Sequence, residues 1–371
     1  MKHRAVGICV LSGALLAGLS AVQLVTIHGA VYPNAADMRA AANYLDDREI
    51  WWQNWPRAQK DQGTVCVSCH TQLPYAMARP VLQRQLHESN LTLANKVMLD
   101  SVEKRVSHWT EMIPFYSDDK NGPGKTVEAH ATESVLNAVI LASYDTAQGH
   151  LRPITRTAFD NAWALQQQSG PLAGGWIWQN FHLGPWEGEE SGYQCAALML
   201  ASVLDAPDGY AKEPDVQAHL DRLQVFLRRG YRTQPVLNQI YVLWASAKQP
   251  DLLSPTERKA LLASIQDQQQ ADGGWTTTNM DERERKDDSP EPTESDGYAT
   301  GIAVLAMEQA GVSRHDPTLV CGVNWLTTHQ QQDGTWKAQS INKKRDPGSD
   351  PALFMQDAAT AYAVLALDRR K

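Results

Sequence analysis

The sequence predicts an all-α protein of 371 residues: a small helical unit over residues 31–116, then an α/α barrel, or toroid, of helical hairpins over residues 126–371. Three observations predict it. Apolar helical segments alternate with amphipathic ones about every 50 to 60 residues through the second part. A Gln-rich turn closing on Gly and Trp occurs three times, at WALQQQSGPLAGGW ending on Trp176, IQDQQQADGGW ending on Trp275 and WLTTHQQQDGTW ending on Trp336. Finally, CVSCH at Cys66 to His70 sits between two stretches of helical pattern, Ala36 to Trp52 and Leu91 to Met112.

The first thirty residues read as an export signal or an N-terminal membrane anchor, because Lys2, His3 and Arg4 lead into an apolar run from Ala5 to Ile27. Either reading places the body in the periplasm, soluble or held at the inner membrane. The formal charge of −8 disfavours nucleic acid as a partner. Beyond Cys9 and the CVSCH pair only Cys195 and Cys321 remain, so no disulfide framework is expected, and these two are read as buried free thiols or one bridge.

CVSCH has the spacing of a covalent haem attachment sequence. Cys66 and Cys69 would bond the two vinyl groups of one haem c, and His70 would ligate its iron. Zinc would want a second ligand cluster, and a dithiol pair of thioredoxin type would want a βαβ setting; the flanking sequence supplies neither. Met112, beside Pro114, is the preferred sixth ligand, with His108 and Met98 as alternatives. Trp51, Trp52 and Trp55 offer flat area for a porphyrin or for ordinary helix packing. The polar stretch from Ser117 to Lys125 reads as a boundary.

Each repeated turn is read as a helix end whose glutamines bond the turn, whose Gly permits positive φ and whose Trp packs over it. Apolar helices follow from Gly192, Asp296 and Gln356, with two more from Glu133 and Pro235. Amphipathic helices lie near Arg156 to Gln168, Asp215 to Arg229, Thr256 to Gln269 and Pro317 to His329. These turns resemble the QW motifs of the squalene–hopene cyclase and terpenoid cyclase superfamily, and the CVSCH unit resembles a c-type cytochrome. The first resemblance implies the toroid. It does not imply cyclisation, because the DxDD acid motif is missing, and the string Asp296-Gly297-Tyr298 lacks the zinc cysteine of prenyltransferases.

Glu133 and Asp357 fall at one level of the inner helices, with Cys195, Gln239, Thr300 and Thr360 a turn further on. They are read either as ligand-binding carboxylates facing the lumen or as first-turn and cap residues; Asp296 fits the cap reading best. His130 and Glu133 make half a metal site without a second pair. The run DERERKDD from Asp281 to Asp288 reads as a solvated loop. The expected function is haem binding and one-electron transfer with a redox partner protein, the toroid holding that partner or an apolar small molecule. The alternative is a redox enzyme acting on an isoprenoid or other substrate in the toroid cavity.

Overall fold

A computed structural model describes residues 24–27, 30–33, 36–113, 115–116 and 122–368. Most of the N-terminal leader lies outside them, as do Cys9 and residues 117–121 of the predicted boundary from Ser117 to Lys125; the rest of that stretch, Gly122 to Lys125, is not a linker but the start of a helix. Leu24–Ile27 (β1) pairs antiparallel with Ala30–Pro33 (β2), and Gln59–Lys60 (β3) with Thr64–Val65 (β4). Everything else of consequence is helical. Among the described residues no helix is long and apolar enough to cross a membrane.

The helices are α1 (Met38–Asn54), α2 (Gln72–Gln85), α3 (Leu93–Ser107), α4 (Gly122–Gln148), α5 (Pro153–Leu165), α6 (Ser191–Asp205), α7 (Pro214–Gly230), α8 (Val236–Ala245), α9 (Pro255–Asp267), the short α10 (Thr277–Asp281), α11 (Gly297–Gln309), α12 (Pro317–Thr328) and α13 (Asp350–Ala366). Local chemistry sets their starts. Proline stands at the head of α5, α7, α9 and α12, where its missing N–H costs nothing. Asp37, Ser254 and Asp316 cap α1, α9 and α12, with Ser254 and Glu257 forming a capping box.

Six helices form a closed inner ring: α2 packs on α4, α4 on α6, α6 on α8, α8 on α11, α11 on α13, and α13 back on α2. Around it α1, α3, α5, α7, α9 and α12 form the outer layer. The fold is an α/α toroid. Its inner helices are apolar on nearly every face because both sides are buried, as α11 shows by burying every residue from Gly297 to Met307.

The repeated turns do what the sequence predicts. In each, a glutamine amide donates to the Gly carbonyl: Gln166 to Gly174 at 2.9 Å, Gln269 to Gly273 at 2.8 Å and Gln330 to Gly334 at 3.0 Å. The three glycines hold φ of 92°, 92° and 87°, where a Cβ would be strained. Each Trp indole reaches back 2.7 Å to a carbonyl of the preceding outer helix, at Ala162, Ile265 and Leu326. The same glutamines also reach the next outer helix: Gln166 bonds the His219 carbonyl on α7, Gln269 that of Thr318 on α12, and Gln330 that of Asp37 at the head of α1.

That third link revises the N-terminal part. The last turn docks on α1 just as its two relatives dock on α7 and α12, so α1 is an outer helix of the ring and α2 its inner partner. One apolar core runs from Ala41 to Ala366, passing from the N-terminal helices into the rest without a break. The stretch holding CVSCH is the connection of the toroid's first hairpin.

A polar cluster is buried behind this hairpin. Glu49 is fully buried; its Oε1 accepts from Gln53 at 2.8 Å and Gln72 at 3.1 Å, while Oε2 has no partner. Burial pushes its carboxyl up to about 8. The folded state therefore keeps this proton through a window, from about 4.5 to 8, in which the unfolded chain has released it, and stability falls as pH rises across that window. Glu49→Gln should remove a pH-dependent loss on the order of a few kcal/mol. Melting temperatures at pH 5 and pH 8 test this: the variant's advantage must grow toward pH 8, and parallel behaviour of the two proteins would refute it.

Candidate functional site at the toroid mouth

The inner helices begin at one mouth of the toroid, and there a pocket of about 70 Å³ opens. That volume has room for about two ordered waters. The α1–α2 connection supplies Cys66, Ser68, Cys69 and His70; the far wall is Glu133 and Thr132 of α4. Phe115, Tyr116, Gln179 and Glu187 complete it from the loops before α4 and α6. The structure thus gathers all three predicted haem-attachment residues, and Glu133 with them, into one place.

Their surroundings differ from the expectation. His70 is 8 % exposed, its ring stacked 3.9 Å from that of Phe354 and set edge-on to Trp52 at 5.2 Å. Burial, with the Arg48 charge nearby, lowers its pKa to about 3, so the imidazole is neutral. Its Nδ1 lies 3.0 Å from Thr71 Oγ1, which donates to Asp357 at 2.8 Å. Burial pushes the Cys66 thiol up to about 11, and raises that of Cys69 as well. Cys195 is a buried free thiol in α6.

The remaining ligand candidates are engaged elsewhere. Met112 receives the Arg105 guanidinium on its sulfur at 3.7 Å and packs in a small cluster with Phe115 and Ala129. His108 pairs with Glu111 at 2.8 Å on the surface, and Met98 is buried in the main core. A haem does not fit these contacts: both the pocket volume and the stacked His70 ring oppose it. Among the described residues no group of three or more His, Cys, Asp or Glu side chains is placed to hold a metal ion.

The two predicted lumen carboxylates are both ion-paired. Glu133 is gripped by Arg105 through Nε and, at 2.8 Å, Nη2. Asp357 takes Arg48 at 2.8 and 3.1 Å, the Tyr44 hydroxyl at 2.7 Å and Thr71. Asp296 is the cap expected, accepting from the amides of Tyr298 and Ala299 and from Thr277. Thr300 and Thr360 do not line an open lumen either; their hydroxyls accept the amides of Trp275 and Trp336 in the repeated turns. Deeper in, Tyr241 bonds Tyr298 at 2.9 Å and Tyr362 at 2.7 Å, and Trp186 packs on Tyr298. These buried rings occupy the interior, where a long polyene would have to fold.

Glu187 went unrecognised in the sequence. It lies in the loop before α6, where its amide donates to the Leu183 carbonyl at 2.7 Å and its carbonyl accepts from Phe181 and Leu183 at 2.9 Å. The carboxyl is half-buried and, among the described residues, makes no hydrogen bond or ion pair. Burial pushes it up to about 7, against a smaller downward pull from Lys125. It is the pocket group best placed to carry and release a proton near neutrality.

The squalene–hopene cyclase C-terminal domain model matches residues 231–367, a little over a third of the chain. No curated protein matches the chain by sequence. Among solved structures, an unsaturated glucuronyl hydrolase from Bacillus sp. GL1, described as responsible for degrading glycosaminoglycan, is similar with a TM-score of 0.54 at 11% identity. That match covers 88% of this chain and 94% of the hydrolase. A family 88 glycosyl hydrolase from Bacteroides vulgatus aligns with a TM-score of 0.47 at 13% identity, covering 89% of this chain and 98% of its own. At such identity these likenesses concern the fold.

The expectation of a cytochrome c with haem, iron and electron transfer is corrected accordingly. CVSCH belongs to the connection of a toroid hairpin whose helices α1 and α2 share the ring's core, with its histidine packed under Phe354 and, among the described residues, no metal-holding cluster beside it.

Proposed function

We propose that this chain is an exported enzyme that cleaves a carbon–oxygen bond in a small hydroxylated substrate, a terminal sugar unit being the class that the chemistry of the pocket's walls suits best. One observation carries the reading: Glu187 is a protonatable, unpaired carboxyl facing a small pocket with aromatic and hydrogen-bonding walls. Phe115 and Tyr116 offer apolar faces, while Gln179, which donates to the Tyr116 hydroxyl at 2.6 Å, and Thr132 offer polar edges. A toroid shared with enzymes of sugar degradation is consistent with this, as an analogy of scaffold. The apolar leader supports a periplasmic setting.

In the proposed reaction the Glu187 carboxyl gives its proton to the leaving oxygen as the carbon–oxygen bond breaks. Water adds to the carbon, and its spare proton returns to Glu187. Neither Glu133 nor Asp357 is assigned a proton step, because their oxygens are taken by Arg105 and Arg48. Since the acid form is the working one, kcat/KM should decline as pH rises through about 7, the value burial sets for this carboxyl. The test is a panel of 4-nitrophenyl glycosides and unsaturated uronyl disaccharides followed from pH 5 to 9. Turnover with a descending limb near neutrality supports the reading; no turnover, or a flat profile to pH 9, overturns it.

A further inference from the structure

The run from Asp281 to Asp288, which reads in sequence as a solvated loop, has three members that leave the solvent: Asp281 is buried, Arg285 keeps 5% of its side chain exposed and donates to the Ser340 carbonyl, and Arg283 turns in beside them. Arg283 folds inward with 22% of its side chain exposed, held by Asp281 at 3.1 Å and Glu190 at 3.4 Å. Its guanidinium lies against the backbone of the loop that carries Glu187. A Cβ at Gly184 would come within 2.6 Å of Arg283 Cζ, and one at Gly188 within 2.5 Å of Nη1. The two glycines bracket Trp186 and Glu187 and leave room for the planar group. A chain reversal at Glu282, with φ of 55°, turns the segment toward the loop.

The loop is tied at further points. Gly184 exchanges two hydrogen bonds with Asn342, at 2.8 and 2.6 Å. Ser191 accepts from the Gly188 amide at 2.8 Å and donates to the Pro185 carbonyl at 2.8 Å. These bonds fix the two ends of the loop's backbone, and Arg283 adds packing on both glycines beside the acid.

We infer that Arg283 is a positioning residue that holds the Gly184 to Gly188 segment in place and so aims the Glu187 carboxyl into the pocket. This rests on the proposed role of Glu187. Arg suits the task and Lys does not replace it fully, because the contact is made by a flat, forked group on two backbone segments.

The test uses the full chain, with the panel substrate on which turnover is seen, in Arg283→Ala, Arg283→Lys and Gly188→Ala. Arg283→Ala should lower kcat about 10- to 100-fold with KM changed less than about threefold, as expected when a reacting group shifts by about an ångström. Arg283→Lys should recover part of the loss. Gly188→Ala, whose methyl displaces the guanidinium from the other side, should behave like Arg283→Ala. Hydrogen exchange at the amides of Glu187 and Gly188 should accelerate in the two alanine variants, a readout that needs no substrate. Unchanged exchange and unchanged kcat in Arg283→Ala overturn the inference. If Glu187→Gln retains full turnover, the proposed function fails instead, and exchange alone still decides whether Arg283 holds the loop.

Discussion

Glu187→Gln lowers kcat/KM on the responsive panel substrate by about 10²- to 10⁴-fold, the range for losing a positioned general acid. The amide keeps the size of the carboxyl but has no proton to give at neutral pH. Because Glu187 is held by backbone bonds to Phe181 and Leu183 and makes no side-chain bond among the described residues, the exchange removes no structural partner. The melting temperature should therefore stay within a degree or two of the parent, or rise slightly, since a raised carboxyl pKa marks a group whose ionisation weakens the fold. The descending limb of the pH profile should vanish with the activity. A variant of normal kcat/KM would remove Glu187 from the chemistry.

Asp357→Ala costs about 3–5 kcal/mol of stability, the range for breaking one side of a buried ion pair. Asp357 is 1% exposed, and its two oxygens accept four hydrogen bonds, from Arg48 twice, Tyr44 and Thr71. Removing it strands the buried Arg48 guanidinium and two hydroxyls, and it also frees Thr71, which sets the Nδ1 side of His70. A double variant, Arg48→Met with Asp357→Leu, should recover much of the loss, because the penalty comes from the unpaired charge more than from the lost attraction. Urea unfolding of the three proteins checks both statements. Equal stability of Asp357→Ala and the parent would show that the pair is not the strut it looks to be.

The helical repeat was legible because the turn chemistry is local. A glutamine, a glycine at positive φ and a tryptophan lie within about ten residues of one another, and their bonds close within that window. The first inner helix was not legible. The stretch QLPYAMARPVLQRQ carries Pro80 inside it and follows no Gln–Trp turn, so it lacks the marks of its relatives. The clue present was a count: five apolar helices do not close the ring that six make, and the partner had to come from the segment around CVSCH. The site was legible in part. CVSCH drew attention to the right hairpin, but which of Glu187, Glu189 and Glu190 turns inward depends on the pairing of Leu183 with Glu187, and residue type alone does not separate them. Arg283 was hidden for the same reason, its partners Gly184 and Gly188 lying nearly a hundred residues earlier.

By itself the sequence determined an all-α chain, the repeated turns and the toroid they build, since helix periodicity, caps and glycine geometry act over a few residues. Only the tertiary structure decided that the CVSCH hairpin completes the ring, that Glu133 and Asp357 are held by arginines, and that Glu187 stands unpaired in the pocket. Those outcomes turn on which side chains meet across the ring and how far water is excluded from them, and both are properties of the closed toroid that no short stretch of chain contains.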